Sequence, residues 1–259
     1  MRSKRSGGRA AGTSLANQAS TASASMPSGT PASAPGAASI ASSAIAPKHM
    51  PEPSPRRALL IDFGGVLTSD IWSSFSDFCR ARGLDPEAAK RLFRENPDAL
   101  AELRALETGS AEPAAFERRF GELLGTDPEG LIEGLFAGLR PSDPMIAAVR
   151  AAGAAGIPVC LVSNSWVMDH YTEEIRALFD AIVISAEVGM HKPQPEIYLL
   201  AAERVGVEPE HCVFVDDLRE NCAGAEAVGM TAVLHREPAQ TVARLEELLG
   251  VPLNDRLRR

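Results

Sequence analysis

The chain has 259 residues, of which 45% are hydrophobic, so it can form one large domain or two small ones around a substantial buried core. Of its 26 basic residues, five lie among the first 49, which contain no acid, so 21 remain against 34 acidic residues in the rest. This acidic balance argues against nucleic-acid binding, which requires a basic surface, and no apolar run approaches the ~20 residues of a membrane span.

The first part of the chain differs in composition from the rest. Residues 1–55 are mainly alanine, serine, glycine, proline and threonine, without a hydrophobic period. Such a segment cannot bury enough apolar surface to offset the entropy of ordering it. We therefore predict a disordered low-complexity tail. Translation could also start at Met50, in which case the protein would lack most of this tail.

From Arg57 onward, short apolar runs alternate with helical patterns. Buried strands are predicted for the runs at 57–62, 158–163, 181–185, 212–216 and 231–234. Helices are predicted between and after the later runs, at 143–153, 166–178, 195–205, 220–228 and 239–249. Strands and helices that alternate over short connections predict an α/β fold, with a parallel sheet and helices on both faces.

One connection is much longer than the others. The first two predicted strands are separated by residues 63–157, and apolar residues between 70 and 140 recur at three- and four-residue spacing. A connection of this length is unusual, so we predict a helical cap or lid inserted after the first strand. The predicted domain bounds are 56–69 and 141–259 for the core and 70–140 for the cap.

Polar side chains follow several predicted strands at the point where each strand ends. They are Asp62, Ser163, Asn164, Lys192, Asp216 and Asp217. In parallel α/β sheets, ligands bind beyond the carboxyl ends of the strands. Three carboxyl groups at one edge repel each other unless a cation lies among them, so the set predicts a metal site. Ligands that are all oxygen atoms suit Mg²⁺.

The order of these residues resembles the four motifs of the haloacid dehalogenase superfamily. Residues 189–234, GMHKPQPEIYLLAAERVGVEPEHCVFVDDLRENCAGAEAVGMTAVL, are similar to one subgroup of that superfamily. This subgroup contains the phosphatase domain of soluble epoxide hydrolases and the glucose-1-phosphate phosphatases. The similarity spans roughly residues 57–240, and the cap region matches only in kind. The resemblance implies a Rossmann-like α/β core with a helical cap.

The resemblance also implies roles for the residues that would handle the substrate. Asp62 would be the nucleophile that takes the phosphoryl group as an aspartyl-phosphate, a form of covalent catalysis known for carboxylates. Ser163 would donate a hydrogen bond to a phosphoryl oxygen, and Asn164 would help to position the substrate. Lys192 would neutralise phosphoryl charge and keep Asp62 ionised.

For the metal, the resemblance implies direct ligands from Asp62, Asp217 and the backbone carbonyl of Gly64, whereas Asp216 would orient a metal-bound water. Most family members carry a second aspartate at the position of Gly64, where it serves as general acid and base. Here the carbonyl is kept and the carboxyl is missing. The glucose-1-phosphate phosphatases show a similar pattern, so its loss does not imply inactivity.

We therefore predict a Mg²⁺-dependent phosphatase of a small phosphorylated metabolite. One alternative is a 2-haloacid dehalogenase, which uses no metal; the adjacent Asp216 and Asp217 oppose it, because they would repel a carboxylate substrate. Another is an inert module that binds a phosphorylated ligand or a partner. The four scattered cysteines and the lack of a secretory signal predict a cytoplasmic protein with reduced thiols. The substrate and the oligomeric state stay open.

Overall fold

The computed structural model describes residues 56–166 and 171–253, so the predicted tail at 1–55 lies outside the described residues. Its centre is one sheet of five parallel strands: β1 (Ala58–Ile61), β2 (Val159–Ser163), β3 (Ala181–Ile184), β4 (Cys212–Asp216) and β5 (Thr231–Leu234). The order across the sheet is β3–β2–β1–β4–β5. All five predicted strands are confirmed, with bounds that differ by at most one residue at either end.

Helices make up most of the remaining described chain. They are α1 (Ile71–Ala81), α2 (Ala88–Glu95), α3 (Pro97–Glu107), α4 (Pro113–Leu124), α5 (Leu131–Phe136), α6 (Asp143–Ala154), α7 (Glu173–Arg176), α8 (Ser185–Val188), α9 (Pro195–Val205), α10 (Arg219–Ala227) and α11 (Pro238–Leu249). A short 3₁₀ turn at Pro209–His211 precedes β4. Within the described ranges, we find no helix with the length and apolar character needed to cross a bilayer.

The central strand β1 is buried on both faces, which explains its unbroken apolar run. Successive side chains of a strand point to opposite faces of the sheet. Leu59 and Ile61 accordingly belong to one hydrophobic cluster, which includes residues of α6 and α11. Ala58 and Leu60 belong to the cluster on the other face, which includes residues of α9 and α10. The structure is therefore a three-layer α/β fold with a Rossmann-like core.

Helices α1 to α5 form a helical insertion, residues 71–136, between β1 and α6. The insertion has a hydrophobic cluster of its own, whose fully buried members all come from these helices and the turns between them. Five phenylalanines dominate this cluster: Phe75, Phe78, Phe93, Phe116 and Phe120. A separate core is the feature expected of a cap, and the bounds 70–140 stay a prediction.

The chain enters and leaves the insertion through two adjacent segments, 67–69 and 140–142, which we call the neck. The Ser69 amide donates to the Arg140 carbonyl at 2.7 Å, and the Ser142 amide donates to the Leu67 carbonyl at 2.8 Å. Between them, Thr68 and Pro141 form an antiparallel bridge. The two ends of the insertion are thus joined by hydrogen bonds at its base.

The helix predicted at 166–178 is wrong. The described part of this segment contains only the single turn α7, and residues 167–170 lie outside the described chain. The backbone of Ser165 is engaged elsewhere, because its amide donates to Ser185 Oγ and its carbonyl accepts from the Ala186 amide. These contacts hold the start of the segment against the end of β3, and the helical turn begins later, where the Thr172 side chain accepts from the Ile175 amide.

Candidate active site

The polar residues predicted from strand ends gather at one edge of the sheet. Asp62 directly follows β1, while Ser163 and Asp216 are the last residues of β2 and β4. Strand β1 lies between β2 and β4, and the chain continues outward from it in both directions across the sheet. Ligands bind at such switch points because the loops on either side diverge and leave a crevice.

Lys192 joins two of these carboxylates. Its Nζ lies 2.6 Å from Asp62 Oδ1 and 2.7 Å from Asp216 Oδ2, and its side chain is only 1% exposed. Burial alone would lower the pKa of Lys192, but the carboxylates of Asp216 and Asp62 outweigh this effect and raise the pKa above its usual value. Lys192 therefore remains a fixed positive charge beside Asp62.

Asp216 is fully buried, and the protein itself satisfies both of its carboxylate oxygens. Oδ1 accepts from the Leu218 amide at 2.8 Å, and the Asn221 side chain lies 3.0 and 3.1 Å from the two oxygens. With Lys192 on Oδ2, these contacts fix the orientation of the carboxylate. Asn221 was missed from the sequence, although a polar residue on the inner face of α10 was a usable signal.

Asp62, Asp216 and Asp217 form a compact acidic cluster. Each offers an oxygen, and these atoms lie within 4.8 Å of one another. Burial raises the pKa of Asp62 to about 7, against the attraction of Lys192. Burial is the main cause that raises the pKa of Asp217 to about 6, and the charge of Asp216 is the second. Two carboxylates that are costly to ionise, in a set of oxygen donors only, fit a bound divalent cation such as Mg²⁺.

The segment after Asp62 turns sharply. The amides of Val66, Leu67 and Thr68 all donate to the carbonyl of Phe63, at 3.3, 2.9 and 3.2 Å. This turn carries the chain from the end of β1 to the neck within a few residues. It also brings the backbone next to the carboxylate of Asp217.

Gly65 is required at that close approach, and Gly64 is not. Gly65 has a φ of +75°, and a Cβ there would lie 2.6 Å from Asp217 Oδ2. Gly64 lies outside the left-handed region, and a Cβ there would meet only Ile71 Cγ2, at an ordinary 3.5 Å. The missing carboxyl at position 64 is therefore not a steric consequence of the fold.

Ser163 and Asn164 are both held by side chains or loops of the core. Tyr171 Oη donates to Ser163 Oγ at 3.0 Å. The Tyr171 ring packs edge-on against the Phe63 ring, with their centroids 4.7 Å apart. The Asn164 amide makes two hydrogen bonds with the backbone of Lys192, at 2.8 and 3.1 Å. Asn164 thus holds the Lys192 loop, a contact that the sequence did not indicate, and Tyr171 was also missed because it belongs to no motif.

A family model described as haloacid dehalogenase-like hydrolase matches residues 56–229, which is more than half of the chain. The chain belongs to the haloacid dehalogenase-like hydrolases. The resemblance first drawn from the motifs is thereby confirmed, and the protein is a hydrolase of this family.

Similar proteins include phosphatases. A glyceraldehyde 3-phosphate phosphatase from Methanopyrus kandleri is 30% identical over 166 residues, which cover 58% of this chain and 69% of that protein. The bifunctional epoxide hydrolase 2 of Rattus norvegicus is 33% identical over 115 residues, 41% of this chain. The matched region spans about a fifth of the length of that and the other first epoxide hydrolase relatives.

Among solved structures, a family enzyme from Bacteroides thetaiotaomicron has a similar fold. It was crystallised with magnesium and inorganic phosphate. It has a TM-score of 0.53 and 23% sequence identity to this chain, and the match covers 70% of this chain and 94% of that one. At this level of sequence identity, the similarity supports the assignment of the fold alone.

Proposed function

We propose that this haloacid dehalogenase-like hydrolase is a Mg²⁺-dependent phosphatase that hydrolyses a small phosphorylated metabolite through an aspartyl-phosphate. The observation that carries the proposal is the arrangement at Asp62. A buried carboxylate bears one lysine contact at 2.6 Å and shares its surroundings with Asp216 and Asp217. Such a site can bind a cation and a phosphoryl group together, since each neutralises the charge that the other meets.

In this reaction, an oxygen of Asp62 attacks the phosphorus atom, and the bond from phosphorus to the leaving oxygen breaks. Lys192 and the hydroxyl of Ser163 bind phosphoryl oxygens, and Tyr171 directs the Ser163 hydroxyl by donating to its oxygen. Water then attacks the aspartyl-phosphate, which releases inorganic phosphate and restores Asp62. Asp62, Asp217 and the Gly64 carbonyl would hold Mg²⁺, and Asp216 would orient a water bound to it; the ion supplies charge neutralisation.

We also propose that the helical insertion is a cap over the site. It is connected to the core just after Asp62 through the neck, and the Trp166 ring on the loop after β2 packs against Phe136 of the insertion at 5.2 Å. A cap in this position would exclude water and contact the organic part of the substrate. We therefore propose small metabolites as substrates; the phosphatases among the relatives support this class.

Replacement of Asp62 by asparagine tests the proposal. The Asp62→Asn variant should lose phosphatase activity by at least ~10³-fold, because an amide cannot form the acyl-phosphate. Wild-type activity on a panel of phosphorylated metabolites, with Mg²⁺ and with a chelator, is the matching measurement.

One control variant and one further assay make the result decisive. Asp77→Asn, on the exposed face of α1, should retain wild-type activity. Retained activity of Asp62→Asn, with deamidation excluded by mass spectrometry, would contradict the covalent mechanism. Chloride release from 2-chloropropionate that a chelator does not affect would instead indicate a dehalogenase.

A further inference from the structure

Glu107 is fixed at the junction between the insertion and the core. It is the last residue of α3, and its backbone carbonyl accepts a hydrogen bond from Ser185 Oγ. Ser185 is the fully buried first residue of α8, directly after β3, and its hydroxyl oxygen also accepts from the Ser165 amide at 2.9 Å. The end of α3 is therefore tied to the loop that follows Ser163.

The insertion approaches the core closely at this place. Gly109, two residues after Glu107, lies so near α8 that a Cβ there would be 3.0 Å from the Ala186 carbonyl oxygen. Because this contact and the Ser185 hydrogen bond are made by the backbone, they hold the position of Glu107 whatever its side chain does.

The carboxylate of Glu107 is partly buried and has no hydrogen bond or ion pair with any residue in 56–166 or 171–253. Lys192 and Arg104 are the positive charges that act on it through space. Burial raises the pKa of Glu107 to about 7, against the opposing effects of Lys192 and Arg104. A glutamate from the insertion thus lies within the electrostatic reach of the lysine that contacts Asp62.

This placement determines what Glu107 can contact when a substrate is bound. Asp62, Ser163 and Lys192 take the phosphoryl group in the proposed reaction, and the insertion is the proposed cap over that site. The organic part of the ester would therefore extend towards the insertion. A partly buried carboxylate that has no partner in the described part of the chain accepts hydrogen bonds well from hydroxyl groups. The same carboxylate repels a second anionic group of a ligand.

We propose that Glu107 recognises the organic part of the substrate, and that this part is a neutral polyol or sugar with a hydroxyl group facing Glu107 and no second acid there. The inference rests on the proposed function, because it takes the phosphoryl position from it. It narrows the substrate class to monophosphates of hydroxylated metabolites and assigns the selection against phosphorylated acids to one residue of the insertion.

The test compares two ligands that differ at one end. Glycerol 1-phosphate ends in a hydroxymethyl group and 3-phosphoglycerate in a carboxylate. Their dissociation constants are measured by calorimetry with Mg²⁺ at about pH 8.5, where a carboxyl group with a pKa of about 7 is ionised. The proteins compared are the Asp62→Asn variant, which cannot turn the ligands over, and the same variant carrying Glu107→Gln. We expect Glu107→Gln to strengthen 3-phosphoglycerate binding about tenfold and to change glycerol 1-phosphate binding by less than about threefold.

Stronger binding of the acid cannot come from damage to the fold, which weakens binding in general. Glu102→Gln serves as the matched control, since Glu102 lies on the same helix and approaches Arg119 at 4.0 Å; it should leave both constants unchanged.

Three results would overturn the inference. The first is an equal loss of affinity for both ligands, which would mean that Glu107 supports Lys192. The others are unchanged dissociation constants and no binding of either ligand. The measurement needs no turnover, so failure of the wild type to hydrolyse phosphate esters would contradict the proposed function separately.

Discussion

At the scale of single residues, Gly64 and Gly65 follow the proposed nucleophile and carry different constraints. Gly65 adopts a left-handed conformation against the Asp217 carboxylate, where a side chain has no space. Gly64 has room for one, and family members that carry aspartate there use it to protonate the leaving group. In the reaction proposed for this chain, the leaving oxygen would therefore depart with less help.

This difference predicts a dependence on the leaving group. General acid catalysis contributes about 10²–10⁴-fold in rate, or roughly 3–5 kcal/mol of barrier. We expect wild-type kcat/KM to fall steeply as the leaving-group pKa rises across aryl and alkyl phosphates, when chemistry is rate-limiting. Gly64→Asp should flatten that slope, and the measurement is the same series with both proteins at one pH.

The neighbouring glycine provides the control for this experiment. Gly65→Ala should lower stability and activity for all esters alike, because the new Cβ would collide with Asp217 Oδ2. A wild-type slope near zero would show that another group already delivers the proton, and the prediction would then be wrong.

At the scale of elements, one buried hydroxyl joins three parts of the chain. Ser185 Oγ lies in hydrogen-bonding contact with Glu107 of α3 and with Ser165 after β2, at the start of α8. Ser185→Ala leaves a buried amide and a buried carbonyl without this partner, so we expect the free energy of unfolding to fall by about 1–3 kcal/mol. We also expect kcat/KM to fall, because the end of α3 loses its attachment beside the site.

Ser74 offers a matched comparison within the insertion. Its buried hydroxyl donates to the Leu135 carbonyl and accepts from the Gly138 amide, and both partners lie between α1 and α6 in the chain. Ser74→Ala should cost similar stability in urea unfolding and leave kcat/KM near the wild-type value. Equal kinetic effects in both variants would argue against a specific role for the Ser185 contact.

The same elements explain how much of the structure the sequence predicted. The five strands were predictable because a doubly covered parallel strand requires an apolar side chain at nearly every position. The positions of the acids were predictable because they end or directly follow those strands. Lys192 was predictable from its order after the strand at 181–185, although α8 separates it from that strand. The helix at 166–178 failed because local spacing does not register that Ser165 pairs with Ser185 and Ala186. Tyr171 contacts Ser163, and the backbone of Glu107 contacts Ser185, through tertiary hydrogen bonds, which no local pattern records.

At the scale of the whole molecule, the Mg²⁺ binding proposed for the acidic cluster would be coupled to folding. Asp62 and Asp217 are costly to ionise when buried, and a cation that binds only the folded state adds stability by mass action. We expect saturating Mg²⁺, at about 100 times its dissociation constant, to raise the free energy of unfolding by about 2.7 kcal/mol. Thermal unfolding over a Mg²⁺ titration measures the effect.

Asp217→Asn should remove most of this increment, because the site loses a charged ligand. Asp77→Asn removes an equal charge from an exposed ion pair and should keep the increment intact. Equal stabilisation of the wild type and of Asp217→Asn by Mg²⁺ would show that the ion binds elsewhere.

The neck makes the insertion an exchangeable part. Hydrogen bonds already join the two ends of the insertion at the neck. Relative to the sheet, any segment between these ends is therefore a loop that is closed at its base. The entropy of closing a loop rises only slowly with its length, so helices can be added, shortened or replaced there at little cost to the core. Natural variation at this one point could therefore change substrate preference while the same sheet edge retained the chemistry, and a transplanted insertion should carry its preference to a new host.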